Sequence, residues 1–155
     1  MPALNNSKRN IAEYISGYTD GEGCFSISFS KRKKILVGWE TKPSFAVGQN
    51  YDRAEVIKII QKYFGCGNIR RDYSDKTLKY EVRSLKELIE GVIPHFRKFP
   101  LLSAKKKDFN LFAKICKMME RQKHLKRNGF IKIVNLAYRM NSSGRRRYKK
   151  EELIR

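Results

Sequence analysis

Residues 11–28 read IAEYISGYTDGEGCFSIS, and the change of period inside this stretch decides the fold. Ile11, Tyr14, Ile15 and Tyr18 recur at helical spacing, so a helix is predicted from Ser7 or Asn10 to Asp20. From Cys24 to Ser30 the pattern becomes strict alternation, Phe25, Ile27 and Phe29 against Ser26, Ser28 and Ser30, which is a half-buried strand. Asp20-Gly21-Glu22-Gly23 lies between them. The helix therefore carries two acids to its C-terminal end, where its dipole already places partial negative charge. A cation should compensate, and a hard divalent ion prefers carboxylate and carbonyl oxygens. Gly17 and Gly21, four residues apart, share one helix face and would let a second backbone approach closely. The competing reading makes Gly17 a local relief of crowding and Gly21 a C-cap.

Composition sets the outer bounds. A chain of 155 residues with 41% hydrophobic content suits one domain spanning 1–155 with a core of its own. Against 15 Asp and Glu stand 35 Lys and Arg, a formal net charge of +20. Such an excess points to a polyanionic partner, nucleic acid first and an anionic membrane surface second. The absence of a long apolar run excludes a transmembrane helix. The stretch MPALNNSKRN lacks the apolar centre of a secretion signal, so the expected location is intracellular. Cys24, Cys66 and Cys116 are odd in number and widely spaced; they fit neither a disulfide framework nor a zinc site and read as reduced packing residues.

Outward from the opening stretch, Lys31-Arg32-Lys33-Lys34 forms a basic tip before a second strand expected at Ile35 to Gln49. Phe45 and Val47 point inward there, with Gly38, Glu40, Lys42, Ser44, Ala46 and Gly48 on the other face. Pro43 suggests an edge or a bulge. Asp52 with Glu55 opens an apolar-striped helix that Gly65-Cys66-Gly67 stops. Strands follow at Asn68 to Tyr73 and Thr77 to Arg83. Ser84 and Glu87 make a capping box for a helix expected to end before Pro94. Ser103 should cap the next helix, which runs to about Met119 and carries Lys105, Lys106 and Lys107 in its first turn, against the dipole. Residues 120–128 read as a basic linker, 129–140 as a last helix and 141–155 as a mobile basic tail. This order gives an α+β fold, αββαββα, with one four-stranded antiparallel sheet covered by helices on one face.

The uncovered face should present Ser26, Ser28, Ser30, Glu40, Lys42, Ser44, Arg70, Asp72, Lys79, Glu81 and Arg83. These are the hydrogen-bonding side chains that direct readout of a DNA major groove uses. Lys31, Arg32, Lys33, Lys34 and Arg53 complete the expected DNA-contacting set.

The nonapeptide Ile15-Ser16-Gly17-Tyr18-Thr19-Asp20-Gly21-Glu22-Gly23 resembles the motif of LAGLIDADG homing endonucleases, and the second strand pair and PLLSAKKKDF match as well. The resemblance covers about residues 8–118, leaving a C-terminal helix and tail at 120–155. A single motif resembles the homodimeric branch. It implies that two motif helices meet at a dimer interface, with Tyr14, Gly17, Asp20 and Gly21 in it. Glu22, the last acid of the motif, would bind the catalytic metal together with the Gly21 carbonyl, while Asp20 supports the turn. Gln49 would orient water and Lys105 would complete the site, with Lys106 as the competing register. The implied cofactor is Mg²⁺, replaceable by Mn²⁺, with Ca²⁺ binding but not supporting cleavage. The implied partner is double-stranded DNA, with no membrane. The implied reaction is a staggered double-strand break with 3′ overhangs in a long pseudo-palindromic site. The host would be an intron in an organelle or in an archaeal or bacterial cytoplasm. His95 and His124 fit no nuclease pattern. Two other readings compete: a cleavage-deficient relative acting as an RNA maturase or transcription regulator, and a general RNA-binding domain. The latter would lack the paired strand aromatics of an RRM.

Overall fold

A computed structural model describes residues 7–142 and 144–155. Helix α1 (Ser7–Glu22) passes into strand β1 (Gly23–Lys31) with no turn between them. Gly23 makes this possible. A Cβ there would lie 2.5 Å from the Thr19 methyl and 2.9 Å from the Thr19 carbonyl oxygen. Gly21 is therefore no C-cap: it lies inside the helix, and the chain continues from Glu22 directly into the sheet.

Strand β2 (Trp39–Asn50) pairs antiparallel with β1. It starts later than the expected Ile35. The chain first closes a loop in which Arg32 N–H donates to the Gly38 carbonyl at 2.9 Å, and Gly38 takes a left-handed backbone, φ +79°, that ends the turn. Helix α2 (Glu55–Phe64) follows a 3₁₀ turn at Tyr51–Arg53. That turn absorbs Asp52, so the expected Asp52/Glu55 capping box does not form and Ala54 precedes the helix without a side-chain cap. Strands β3 (Asn68–Asp72) and β4 (Thr77–Val82) complete a sheet of order β1-β2-β4-β3. β4 stops at Val82, opposite Phe45, so Pro43 has a strand neighbour on the β1 side alone, as an edge proline requires.

The register stacks the inward residues. Phe25 faces Phe45, Phe45 faces Val82 and Val47 faces Tyr80, and all are fully buried. Ile15 of α1 and Ile57 and Ile60 of α2 pack in the core on this side, joined by residues of the helices that follow. Leu85–Glu87, Leu88–Val92 and Ile93–Lys98 form one continuous helix, α3; then come α4 (Lys105–Glu120), α5 (Arg127–Ala137) and α6 (Lys150–Ile154). Phe25 meets Phe96, Phe109 and Phe112 at centroid distances of 5.3 Å, which joins β1 to α3 and α4. Burying each such ring stabilises by about 1.5–3 kcal/mol.

Contrary to expectation, α3 runs through Pro94. Its middle turn is a π-turn in which Ile93 N–H reaches back to the Leu88 carbonyl. The widened turn carries the chain past the place where a proline ring would meet the preceding carbonyl and where its N–H would be missed. The next residue, His95, is buried (6% exposed). Ser16 Oγ donates to the Phe99 carbonyl at 2.6 Å, so it must accept from His95 Nε2–H at 3.1 Å. His95 Nδ1 then accepts from the Tyr63 hydroxyl at 2.9 Å. This network holds one neutral tautomer and makes His95 a structural residue. Burial pushes its pKa down to about 4. Because the folded value lies below the unfolded one, the unfolded chain binds the extra proton first. Stability should therefore fall as pH drops from about 6.5 to about 4, by up to about 3 kcal/mol. Urea unfolding across that window should show the slope, and His95→Gln should flatten it.

The C-terminal tail is not loose. Asn141 Nδ2 donates to the Phe25 carbonyl at 2.8 Å and Arg146 Nη1 to the Ile27 carbonyl at 2.9 Å. Tyr148 packs on Trp39 at 4.8 Å, the Tyr138 hydroxyl donates to its carbonyl at 2.6 Å, and Leu153 is buried. The segment expected as a linker, 120–128, contains a 3₁₀ turn at Lys123–Leu125 and the first residues of α5.

Candidate active site and DNA-facing sheet

The last turn of α1 is where the fold gathers chemistry. The Asp20 carboxylate accepts from Leu102 N–H at 2.8 Å, Ser103 N–H at 3.2 Å and the Ser103 hydroxyl at 2.6 Å. Partial desolvation works to raise the Asp20 pKa, but these hydrogen bonds outweigh it and hold the carboxyl below its ordinary value. Asp20 thus fastens the end of α1 to the loop that starts α4. Ser103 also accepts from Lys105 N–H at 3.2 Å, but it is not the cap expected of it: Ala104 directly precedes α4 and makes no side-chain cap.

This clasp delivers Lys105 beneath the end of α1. Its Nζ donates to the Thr19 carbonyl at 2.9 Å and the Asp20 carbonyl at 3.2 Å. The cation that the helix dipole calls for is therefore built into the chain. An ammonium has three donors, so one N–H remains for a further acceptor. Lys106 is exposed and makes no side-chain hydrogen bond among the described residues. Of the two, Lys105 is the one that meets the end of α1.

Gln49, near the end of β2, donates from Nε2 to the Tyr18 hydroxyl at 2.8 Å. Its Oε1 accepts from Asn50 N–H at 2.8 Å and keeps a second lone pair. Burial raises the Tyr18 pKa; the Gln49 hydrogen bond opposes this and the nearby Glu22 charge adds to it, so the phenol stays protonated. Tyr18 stands one turn before Glu22. Sequence periodicity marks it as an apolar stripe residue and gives no sign that it anchors Gln49.

Glu22 is exposed at the helix end. With Gln49, Asn50 and Lys79 it lines a groove of about 710 Å³ across the open sheet face. No group of three or more His, Cys, Asp or Glu that could enclose a metal exists among the described residues. One carboxylate with an adjacent carbonyl suits Mg²⁺, which keeps several waters and binds through one or two carboxylates plus substrate phosphates. The donor set fits a metal shared with a phosphodiester.

The outer face of α1 is bare. Tyr14 is 55% and Ile11 38% exposed, and a Cβ at Gly17 or Gly21 would meet nothing within 4 Å. Asp20, expected on this face, instead turns its carboxylate to its own chain.

The open sheet face differs from the row of free readers that alternation suggests. Arg70 pairs with Glu81 at 2.9 Å, Lys79 with Asp72 at 3.4 Å, Arg83 with Glu81 at 3.4 Å and Arg32 with Glu40 at 3.0 Å. Hydrogen bonds from Ser74, with Lys79 assisting, hold the Asp72 carboxyl at about 2. Ser26, Ser28, Ser30, Lys42 and Ser44 share the face outside this network. Lys31 lies about the rings of Trp39 and Tyr148, 6.0 and 5.8 Å from their centroids, while Lys33, Lys34 and Arg53 are exposed. Arg71, which alternation leaves on the helix side, stacks on Tyr51 at 3.9 Å and Tyr73 at 4.8 Å. Among the cysteines, Cys116 is a core residue whose thiol burial pushes up to about 12. Cys66 is half-buried, and Cys24 sits on the open face rather than in the core, because Phe25 takes the inward position.

No helix among the described residues is long and apolar enough to cross a membrane. A family model described as LAGLIDADG endonuclease matches residues 15–116. The crystal structure of a homing endonuclease, I-TnaI, superposes with a TM-score of 0.81 at 33% identity, covering 92% of each chain. I-SmaMI, bound to an uncleaved DNA target in the presence of calcium ions, gives a TM-score of 0.83 at 28% identity over 92% of this chain and 47% of that one. Probable intron-encoded endonuclease 3 of Neurospora crassa is 31% identical over 138 residues, 88% of this chain and 26% of its own length. The chain spans about a quarter of the curated relatives it first matches.

Proposed function

The chain belongs to the LAGLIDADG endonuclease family, and on that premise we propose that two copies of it hydrolyse both strands of a long, partly palindromic DNA site. The carrying observation is the last turn of α1: Glu22 and Gln49 line one groove across an open, polar sheet, and Lys105 donates to the Thr19 and Asp20 carbonyls of the same turn. Glu22 and the Gly21 carbonyl would hold the divalent ion, Mg²⁺ with Mn²⁺ as a substitute. When bound, such an ion activates water and stabilises charge on the phosphoryl oxygens. The Gln49 oxygen, fixed by Tyr18 and Asn50, accepts a hydrogen bond from the attacking water. The free Lys105 N–H meets the charge that builds on the scissile phosphate. The sheet lies in the major groove of each half-site, Ser26, Ser28, Lys42, Ser44 and the Arg70/Glu81 pair reading base edges while the Lys33–Lys34 tip and Arg53 grip phosphates. The protein works where the DNA carrying its site lies, an organelle or a prokaryotic cytoplasm.

The bare α1 face supports the dimer. Gly17→Leu fills the space a second α1 would occupy, so the variant should sediment as a monomer with an unchanged circular dichroism spectrum; an intact dimer would remove α1 from the interface. Incubation with a randomised duplex library in Mg²⁺, with Ca²⁺ as control and sequencing of the cut ends, tests the whole reading. One enriched, partly palindromic site cut with a 3′ stagger is the expected result. Enrichment by binding with no cut would leave a sequence-specific binding protein.

A further inference from the structure

The chain carries a net charge of +20, yet the β3–β4 half of the open sheet is balanced charge for charge. Arg70, Lys79 and Arg83 are matched there by Asp72, Asp75 and Glu81. Glu81 is the hub of this network. Its Oε1 accepts from Arg70 Nε at 3.0 Å and lies 2.9 Å from Arg70 Nη2, while its Oε2 lies 3.4 Å from Arg83 Nε. The Glu81 side chain is 13% exposed and that of Arg70 48%, so the acid sits deeper than the cation it holds. Exposed ion pairs stabilise a fold little. A carboxylate on a surface that meets a polyanion also repels that partner. Glu81 therefore weakens the attraction of this face for phosphate, and its benefit must lie elsewhere.

We propose that Glu81 is a specificity-determining residue that acts through Arg70, setting it to read a guanine in the major groove. The inference rests on the reading that this face lies against duplex DNA. Glu81 occupies the side edge of the guanidinium, Nε and Nη2. The end of the fork, one N–H on Nη1 and one on Nη2, stays open, because Asp72 Oδ2 lies 3.9 Å from Nη1, beyond hydrogen-bond reach. Two parallel donors match the O6 and N7 acceptors of guanine. Adenine would set an amino donor against one of them, and thymine a methyl group. Glu81 also cancels the charge that would draw Arg70 to a phosphate, where it would hold DNA of any sequence. Because the fork is already positioned, Arg70 loses less side-chain freedom on meeting the base. The acid thus turns a cation that would grip any duplex into one that needs acceptors on a base edge.

The test incubates the full chain with a randomised duplex library in Ca²⁺ and sequences the bound fraction, with anisotropy of one random-sequence duplex over a salt series beside it. The parent should select guanine at one position of each half-site. Arg70→Lys, which keeps the charge and loses the fork, should lower that preference by at least about tenfold and leave other positions as they are. Glu81→Gln should lose preference at the same position, yet bind the random duplex more tightly. Its salt slope should steepen by about 0.9 for each cation that moves to a phosphate. A carboxylate that merely held the strands together would instead weaken binding to every duplex alike. Should Glu81→Gln misfold, Glu81→Asp, which keeps the charge and draws the carboxylate back by one methylene, should still lower the guanine preference at the parental salt slope. Guanine preference intact in Glu81→Gln, or no guanine that responds to Arg70→Lys, would overturn the role of Glu81. Binding is read without cleavage, so a parent that selects this guanine and never cuts in Mg²⁺ would count against the DNA-cleaving reading alone.

Discussion

Glu22→Gln should reduce cleavage by at least about a thousandfold while site-specific binding persists in Ca²⁺. The substitution keeps the shape of the side chain and removes its charge, which is what a hard cation needs from it. Its effect on stability carries an informative sign. Glu22 is exposed and lies at the negative end of α1, so neutralising it should stabilise the fold slightly, by about 0.3–1 kcal/mol. A protein that melts higher and cuts nothing would place Glu22 in the chemistry. A protein that melts lower and loses DNA binding together with cleavage would make it a structural residue.

Lys105→Ala should slow cleavage by about a hundredfold and, unlike Glu22→Gln, should also lower stability. The ammonium serves the Thr19 and Asp20 carbonyls at the end of α1, and losing charged hydrogen bonds of this kind costs about 1.5–3 kcal/mol. Preference for the target sequence should not change, because Lys105 lies outside the sheet face. Lys106→Ala should leave both cleavage rate and melting temperature close to those of the parent. Reversal of the two variants would move the site one residue along α4. Single-turnover cleavage and thermal melts on the same samples separate these outcomes.

Much of this was legible in residues 11–30, because apolar period alone separates α1 from β1 and sorts Phe25, Ile27 and Phe29 to the core. The α+β order and the inward Phe45, Val47, Tyr80 and Val82 follow from the same rule. Period does not reveal contacts between side chains and distant backbone. Helical spacing puts Lys105 and Lys106 about 100° apart, but only the Asp20–Ser103 clasp determines which of them meets α1. The ion pairs among Arg70, Asp72, Lys79 and Glu81 depend on the β3–β4 register, in which Arg70 stands opposite Lys79. Pro94 reads as a helix stop because a regular α-turn would exclude it; the π-turn at Leu88–Val92 is invisible to propensity. The tail reads as loose because Asn141 and Arg146 find their partners on a strand more than a hundred residues earlier.

That tail closes an exposed flank. In the order β1-β2-β4-β3, strand β1 lies at one margin of the sheet, and its outward carbonyls form a template on which another chain could add a strand. Asn141 and Arg146 occupy the Phe25 and Ile27 carbonyls, and Tyr148 covers Trp39 where the hairpin begins. The basic residues that read as a loose tail therefore cover two carbonyls that an added strand would need. Trimming them to tidy the chain for expression or crystallisation would trade a supposed floppy end for aggregation.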